Sequence, residues 1–230
     1  MTAPEADPRT LPSLEVHAYT GGAFAENTYL VVSPGPRRAV VVDPGAAAGQ
    51  VLEAADRLGV AIDAIYLTHA HVDHVEGIPA ILDHATIPIH LHPADLPIYR
   101  WAERRAVEWG INLRGTLPTP DYEIVPGQPL PVGDHILEVR FTPGHAPGHV
   151  MFYEKASGLA LVGDVVFQGS IGRTDLPGGD YRQLFESIRR EVLTLPDPTR
   201  LLSGHGPETT VRAERLGNPF LISQAAGRFA

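Results

Sequence analysis

The sequence predicts a mixed α/β protein in which two sheets pack face to face and helices cover their outer sides. Apolar segments of strand length recur along the 230 residues, with Gly, Pro, Asn or Asp at the turns between them. Stretches with a helical apolar period separate several of these segments. The order of segments after residue 120 resembles the order before residue 95, which indicates two α/β halves within one domain over 1–230.

The individual elements follow from local pattern. The segments that predict strands are 27–33, 39–45, 61–69, 87–92, 135–144, 150–155, 159–167 and 199–206. The stretches that predict helices are 48–58, 75–84, 98–108 and 181–194. The Pro- and Gly-rich stretch 115–133 is the expected join between the halves, and 168–181 is the longest irregular loop.

Composition excludes several kinds of chemistry. The chain has no cysteine, which removes thiolate metal sites, disulfides and cysteine nucleophiles. Its net charge of −9 opposes contact with phosphate backbones, so no nucleic-acid partner is expected. The acidic, Pro-rich first residues contain no apolar leader, and no apolar run is long enough for a membrane span. We therefore expect a cytoplasmic protein without a membrane partner.

A dense group of metal-ligand side chains follows the predicted strand 61–69. The segment His69-Ala70-His71-Val72-Asp73-His74 lies between that strand and the helix predicted at 75–84. His69 and His71, two residues apart on extended backbone, would point the same way toward one metal ion. Asp73 and His74 would turn with the chain toward a second ion. The alternative is a solvated histidine-rich turn at a sheet edge.

Three further candidate ligands sit where predicted strands end in turns, and each has a glycine beside it: His145, Asp164 and His205. Glycine lets the backbone turn sharply and leaves room next to a ligand. With the hexapeptide they make five histidines and two aspartates, enough for two divalent cations that share Asp164. Taken singly, Asp164 also suits a turn cap, and either histidine an ordinary loop position.

The motifs H-A-H-V-D-H, T-P-G-H-A-P-G-H, G-D-V-V-F and G-H-G, in this order, resemble those of the metallo-β-lactamase superfamily. Within it, the segments at 169–180 and 204–211 are similar to short bacterial hydrolases of the glyoxalase II type. The resemblance implies a four-layer αβ/βα sandwich with the metals at one edge of the sheets. It also implies a ligand set of His69, His71 and His145 for a first metal and Asp73, His74 and His205 for a second, with Asp164 as the bridge.

The resemblance and the donor chemistry predict a dinuclear thioester hydrolase, which splits S-2-hydroxyacylglutathione into a 2-hydroxy acid and glutathione. Two metal ions would lower the pKa of a coordinated water to about 7, and the resulting hydroxide would attack the thioester. Asp73, His74 and Asp164 are the expected catalytic residues. Imidazole and carboxylate accept zinc, iron or manganese, and zinc is the first expectation. The expected partner is a small-molecule thioester, and the expected assembly is a monomer or a homodimer.

Other functions fit the same fold. One is a persulfide dioxygenase with a single iron, whose family is similar to this chain at G-R-T-D, although the complete second donor set argues against it. Another is a lactonase, a β-lactamase or another ester hydrolase. A nuclease would need a basic surface, which the net charge opposes. A non-catalytic scaffold module would be expected to have lost ligands.

Several residues are predicted to support the site. Arg173 lies where the family places a cation for the substrate's carboxylate, and the alternative is a salt bridge to Asp175 that shapes the loop. His149 is expected to lie behind the metal ligands. Asp43 is either a turn residue or a hydrogen-bond partner of a metal-bound histidine. Glyoxalase II enzymes resemble this chain but continue into a helical region that grips glutathione, and no such domain is expected after Gly206.

The remaining motifs are expected to lie outside the metal site. His90 and His92 are predicted to be strand residues, and His17, His84 and His135 to face solvent or cap carbonyl groups. The helix predicted at 98–108, with its Trp and Arg side chains, has two interpretations. It either covers the active site or packs on the sheet with a solvated arginine face.

Overall fold

A computed structural model describes residues 11–225 of the chain. Residues 1–10, which make up most of the acidic, Pro-rich N-terminal segment, lie outside the described residues. The described part contains two six-stranded sheets and a small hairpin. Helices are distributed over the outer faces of both sheets.

The first sheet has its strands in chain order, antiparallel over β1 to β3 and parallel from β3 to β6. Its strands are β1 Glu15–Gly21, β2 Glu26–Ser33, β3 Arg38–Val42, β4 Ala61–Tyr66, β5 Ile89–Leu91 and β6 Tyr122–Glu123. Every residue of β2 is buried, because helices cover one face of the sheet and the second sheet covers the other.

The second sheet has the order β14-β13-β10-β9-β8-β7, and only β10 and β13 in it run parallel. Its strands are β7 Leu130–Val132, β8 His135–Phe141, β9 Val150–Glu154, β10 Leu159–Gly163, β13 Arg200–Ser203 and β14 Thr209–Thr210, and the hairpin is β11 Val166–Phe167 with β12 Ser170–Ile171. The stretch 115–133 leads the chain from β6 in the first sheet to β7 in the second.

The helices are α1 Ala48–Leu58, α2 Val72–Val75, α3 Ile78–His84, α4 Leu96–Trp109, α5 Tyr181–Ser187, α6 Val211–Gly217 and α7 Pro219–Ala225. In α1, Val51, Ala54 and Ala55 form the buried stripe, and Gly59 ends the helix in the left-handed conformation at φ 62°. Across residues 11–225, no helix combines the length and the apolar character that crossing a membrane requires.

Three buried clusters define four layers. The outer face of the first sheet packs on α1, α3 and α4 around Ile65 and Ile81. Tyr66 from the first sheet and Phe152 from the second meet between the sheets, with ring centroids 6.0 Å apart. The outer face of the second sheet packs on α5 and its continuation around Leu184. The predicted four-layer αβ/βα sandwich is confirmed.

Some element predictions were wrong in detail. The helix predicted at 75–84 breaks at Gly77, because the amide of Gly77 donates to the Pro44 carbonyl oxygen and a Cβ there would lie 2.1 Å from the Gly45 carbonyl oxygen. The helix predicted at 181–194 changes to a π-helical turn over Ile188–Val192. Strand β1 was missed because it is a half-exposed edge strand with mixed polarity.

The prediction for His135 was wrong, and two helices near the C-terminus were not predicted. His135 was expected to face solvent or cap a carbonyl group, but alternation along β8 turns it inward, where it is 3 % exposed and its Nδ1 lies 3.8 Å from Oε1 of Glu154. The helices α6 and α7 were also missed. Thr210 caps α6 by accepting a hydrogen bond from the Ala213 amide at 3.2 Å, a signal that the sequence does contain.

Candidate metal centre

The candidate centre begins where β4 gives way to α2. Strand β4 ends at Tyr66, and the chain stays irregular through His69 and His71 before the first turn of α2 carries Asp73 and His74. His71 has extended backbone dihedrals and its side chain is only partly covered, whereas His69 and His74 are fully buried. The single strand-to-helix turn thus presents all four side chains on one side of the chain.

The other three predicted ligands arrive from the second sheet. His145 lies in the loop between β8 and β9, Asp164 directly follows β10, and His205 follows β13 by two residues. The bend at Gly163, with φ 49°, turns the chain so that Asp164 leaves the sheet. Because β10 and β13 are parallel neighbours, Asp164 and His205 emerge at the same sheet edge.

Six of the seven side chains form two groups of three. The nitrogen donors of His69, His71 and His145 lie within 4.8 Å of one another, and so do the donor atoms of Asp73, His74 and His205. Asp164 stands between the groups, since its Oδ2 lies 3.4 Å from Nε2 of His145 and 3.4 Å from Nε2 of His205. This is the placement that a carboxylate shared by two cations requires.

Unsatisfied buried atoms show that this donor set fits metal ions. Within residues 11–225, Nε2 of His69, Nε2 of His74 and Oδ1 of Asp164 are buried without any hydrogen-bond partner. Such atoms are costly unless a ligand satisfies them. Gly204 keeps the space open, because a Cβ at that position would lie 2.2 Å from Oδ1 of Asp164.

Burial and neighbouring charges set the protonation state of each donor. Burial lowers the pKa of His69 well below its ordinary value and that of His71 to about 3, so both imidazoles are neutral. Burial opposes ionisation of Asp164, but the neighbouring His74 and His205 hold the pKa of its carboxyl well below the usual range. Despite their burial, the carboxylates of Asp164 and Asp73 raise the pKa of His74 well above its ordinary value and that of His205 to about 10. Metal binding needs neutral imidazole and ionised carboxylate, so a cation at these two rings would have to displace a proton.

Hydrogen bonds on the far side of the rings orient three of the histidines. Nδ1 of His145 donates to the carbonyl oxygen of Arg173 at 2.7 Å, and Nδ1 of His205 donates to that of Phe24 at 2.9 Å. Nδ1 of His74 lies 3.1 Å from Oδ2 of Asp43. In each ring the other nitrogen, Nε2, therefore faces Asp164 and the centre.

Asp43 also organises the segment before His69. Its Oδ1 accepts from the Thr68 amide at 2.7 Å and its Oδ2 from the Thr68 hydroxyl at 2.6 Å. The residue has φ 50°, a left-handed conformation that aspartate tolerates better than most residues. Both interpretations of Asp43 apply, because it is a hydrogen-bond partner of His74 and also lies in the turn after β3.

His149 lies directly behind the first group. Its ring stacks on that of His69, with centroids 5.0 Å apart, and its Nδ1 lies 2.9 Å from the Thr142 hydroxyl. Its Nε2 accepts a hydrogen bond from the backbone amide of Asp164 at 3.0 Å. Both ring nitrogens are thus engaged with protein atoms, which leaves neither for a cation.

Arg173 and Asp175 lie away from the donor atoms. The guanidinium of Arg173 donates to both carboxylate oxygens of Asp175 at 2.7 and 2.6 Å, and both side chains are exposed. This is the salt bridge that the sequence offered as the alternative to substrate binding. The contribution of Arg173 to the centre in this structure is its carbonyl oxygen, which holds His145.

Asp95 was not among the predicted site residues. This carboxylate is fully buried and accepts from the amide of Ala70 at 3.0 Å and from that of Gly148 at 2.5 Å. It therefore connects the loop of His69 and His71 to the loop of His145. No spacing rule marks an aspartate in a 3₁₀ turn, so only the long-range contact shows its position.

The predicted non-ligand histidines stay outside the two groups. His90 lies in β5, packed against Tyr66 and Tyr122, and His92 directly follows that strand and stacks on Phe141. Neither belongs to a metal-ligand cluster in the described part of the chain.

The chain matches known proteins over most of its length. A family model described as the metallo-beta-lactamase superfamily matches residues 21–205. A Bacillus subtilis protein named as the probable metallo-hydrolase YqgX is 39 % identical over 203 residues, which cover 87 % of this chain and 94 % of that protein. A Haemophilus influenzae protein named as hydroxyacylglutathione hydrolase GloC is 34 % identical, covering 88 % and 96 %.

Solved structures agree with this match. The crystal structure of TTHA1623 in a di-iron-bound form is 40 % identical with a TM-score of 0.81, covering 89 % of this chain and all of that one. The structure of the B3 metallo-beta-lactamase BLEG-1 is 35 % identical with a TM-score of 0.81, covering 90 % and 99 %. The fold implies divalent metal ions, and the chain belongs to the metallo-β-lactamase superfamily.

Proposed function

We propose that the protein is a dinuclear metal-dependent hydrolase of thioesters, of the hydroxyacylglutathione hydrolase type. The observation that carries this proposal is the position of Asp164, equally distant from His145 of one donor group and His205 of the other. Membership of the superfamily supports a hydrolase, and similarity to a relative named as a hydroxyacylglutathione hydrolase supports the thioester. We further propose that it acts in the cytoplasm on small molecules, as a monomer or a homodimer.

The proposed ligands are those of the two groups. His69, His71 and His145 would hold one divalent ion, Asp73, His74 and His205 the other, and Asp164 would be shared. Two such ions would supply a strongly acidified water and would polarise the thioester carbonyl. Zinc is the first candidate, and the di-iron relative makes iron the second.

The chain's own residues would position the reactants. In the reaction, water oxygen bonds to the acyl carbon, the carbon–sulfur bond breaks, and the thiol leaves with a proton. Asp73 is 8 % exposed, and its Oδ2 lies 3.3 Å from Nε2 of His205. Its carboxylate can therefore orient the attacking water from within the centre. Asp43 would keep His74 in place through Nδ1.

The test is hydrolysis of S-lactoylglutathione by protein loaded separately with Zn²⁺, Fe²⁺ or Mn²⁺. We expect turnover with two metal ions per chain by elemental analysis. The His71→Ala variant should lose at least about 100-fold in turnover, and Asp164→Asn should retain no more than one ion. His84→Ala is the matched control, because His84 is an exposed histidine at the end of α3.

Three results would overturn the proposal. The first is turnover no greater than that of His71→Ala. The second is one iron per chain with oxygen uptake on glutathione persulfide, which would indicate a dioxygenase. The third is faster hydrolysis of nitrocefin or a homoserine lactone than of any thioester. Nitrocefin is included because the relative BLEG-1 is described as a B3 metallo-beta-lactamase.

A further inference from the structure

A groove runs from the metal centre along helix α4. Its cavity has a volume of about 480 Å³, which falls within the roughly 300–1,000 Å³ of small-molecule sites. One wall is α4 and the turn before it, from Ala94 to Trp109, and the opposite wall is Pro147 with residues 176–178. The floor is the segment 70–72 of the metal-binding turn.

The lining of this groove is apolar. His71 and Arg105 are the two titratable side chains in it, and the others are Ala, Val, Ile, Leu, Pro, Trp and Gly. The guanidinium of Arg105 is already paired with Glu108 at 2.9 Å and lies 5.8 Å from the ring of Trp109. The groove therefore offers an apolar group a place to leave water and offers a peptide few partners.

The same groove explains the exposed aromatic residues of α4. Tyr99, Ala102 and Ala106 form the buried side of the helix. The helix therefore packs on the sheet, which was one of the two interpretations of its sequence. Trp101 and Trp109 are nevertheless 53 % and 40 % exposed, and both line the groove. Large exposed aromatic side chains beside a site are typical of binding surfaces.

The groove is continuous with the centre. His71 lies in its lining, and Nδ1 of His71 is 2.8 Å from Nε2 of His145 in the first donor group. A substrate whose reacting carbon lies at the donor atoms would therefore place one of its substituents along α4. Charged groups of such a substrate would have to point elsewhere, because the groove gives them no free partner.

We propose that this groove binds an apolar substituent of the substrate, of medium-chain or aromatic character, and so sets substrate preference. This inference rests on the proposed function, since it takes the reacting group to be a thioester. The glutathionyl peptide, with two carboxylates and an ammonium group, does not occupy the groove. The apolar substituent comes either from the acyl side or from the thiol side of the thioester, and the kinetic test below separates these sources.

Binding can be measured without turnover, because Trp101 and Trp109 are the two tryptophans of the whole chain and both line the groove. S-octylglutathione and S-methylglutathione are thioethers that the enzyme cannot hydrolyse. We expect S-octylglutathione to shift tryptophan emission to shorter wavelength in a saturable manner, with at least about tenfold tighter binding than S-methylglutathione.

Two variants test the location. Ala94→Phe places a ring in the groove from an exposed position and should weaken S-octylglutathione binding at least about tenfold. Val107→Ala changes an 82 % exposed residue of the same helix outside the lining and should leave binding unchanged. Equal binding by Ala94→Phe and the wild type, or no emission shift in the wild type, would overturn the proposal.

Kinetics then identifies the source of the apolar group. We expect kcat/KM to be at least about tenfold higher for one of two thioesters than for S-lactoylglutathione. S-phenylacetylglutathione has its apolar group on the acyl side, and the lactoyl thioester of benzyl mercaptan has it on the thiol side. Ala94→Phe should remove that preference. Hydrolysis of S-lactoylglutathione with no gain for either compound would overturn the groove proposal and leave the proposed function standing.

The opposite result is also distinguishable. Saturable binding of S-octylglutathione that Ala94→Phe weakens, with no hydrolysis of any thioester, would overturn the thioesterase function and support the apolar groove.

Discussion

Oδ2 of Asp43 lies 3.1 Å from Nδ1 of His74, with both side chains buried. The contact is on the side of the imidazole away from Nε2, which faces Asp164 at 3.5 Å. The same carboxylate accepts two hydrogen bonds from Thr68, so it has three donors around two oxygens. Asp43 therefore fixes His74 and the segment leading to His69 at once.

An Asp43→Asn variant should lose metal from the centre. Asparagine tolerates the left-handed backbone at this position, but its amide nitrogen is a donor and cannot accept from Thr68 or His74. We expect about 10- to 100-fold weaker metal binding, measured by competition with a chromophoric chelator. Asp83→Asn, at an exposed position of α3, is the control. Unchanged affinity in Asp43→Asn would contradict this role.

Asp95 should make stability depend on pH. Burial raises the pKa of Asp95 to about 6, against about 3.9 in an unfolded chain. Because the folded state holds the proton more tightly, the stabilisation from this group is complete below about pH 4 and is lost as the pH rises through 6.

This is measured by urea unfolding of metal-free protein from pH 4 to 7. Relative to Asp95→Asn, the wild type's free energy of unfolding should fall by up to about 3 kcal/mol over this range. Asp134→Asn, an exposed substitution, should follow the wild type. A constant difference between wild type and Asp95→Asn would refute the prediction.

Releasing Arg173 should alter substrate binding. Asp175 accepts hydrogen bonds from Nε and Nη2 of its guanidinium, at the protein surface. If Arg173 binds the substrate's carboxylate, Asp175→Ala should lower KM for S-lactoylglutathione and Arg173→Ala should raise it. Each change should be at most about fivefold, because exposed ion pairs contribute about 0.2–1 kcal/mol. KM is measured by steady-state kinetics, and equal KM values for the two variants would show that the ion pair has only a structural role.

Phe152 should be a principal source of stability between the sheets. Its side chain is fully buried and contacts Tyr66 of the opposite sheet. Phe152→Ala should lower the free energy of unfolding by about 3–5 kcal/mol, through lost burial and the cavity left behind. Ile136→Ala on the adjacent β8 alters a 59 % exposed side chain and should cost far less. Urea denaturation of both variants compares them directly, and similar losses would argue against this packing.

Local pattern was informative wherever short-range physics decides the structure. Strands of the two sheets such as β2, β3 and β9 appear in the sequence as apolar runs, because both faces of these strands are covered. Edge elements such as β1 and the two-residue β14 had no such signal. The segment from His69 to His74 was recognisable because its donor side chains follow one another along the chain.

Residue order alone specified the donor types, the turns that present them and the layered α/β architecture, since each depends on neighbours within a few positions. Folding in three dimensions decided which partners those donors meet. Asp95 and Gly148 are separated by 53 positions in the chain and yet share a hydrogen bond. The apolar groove along α4 likewise depends on side-chain packing, which no periodicity or spacing encodes. The sequence left two interpretations of Arg173 open, and only the folded structure showed its pairing with Asp175.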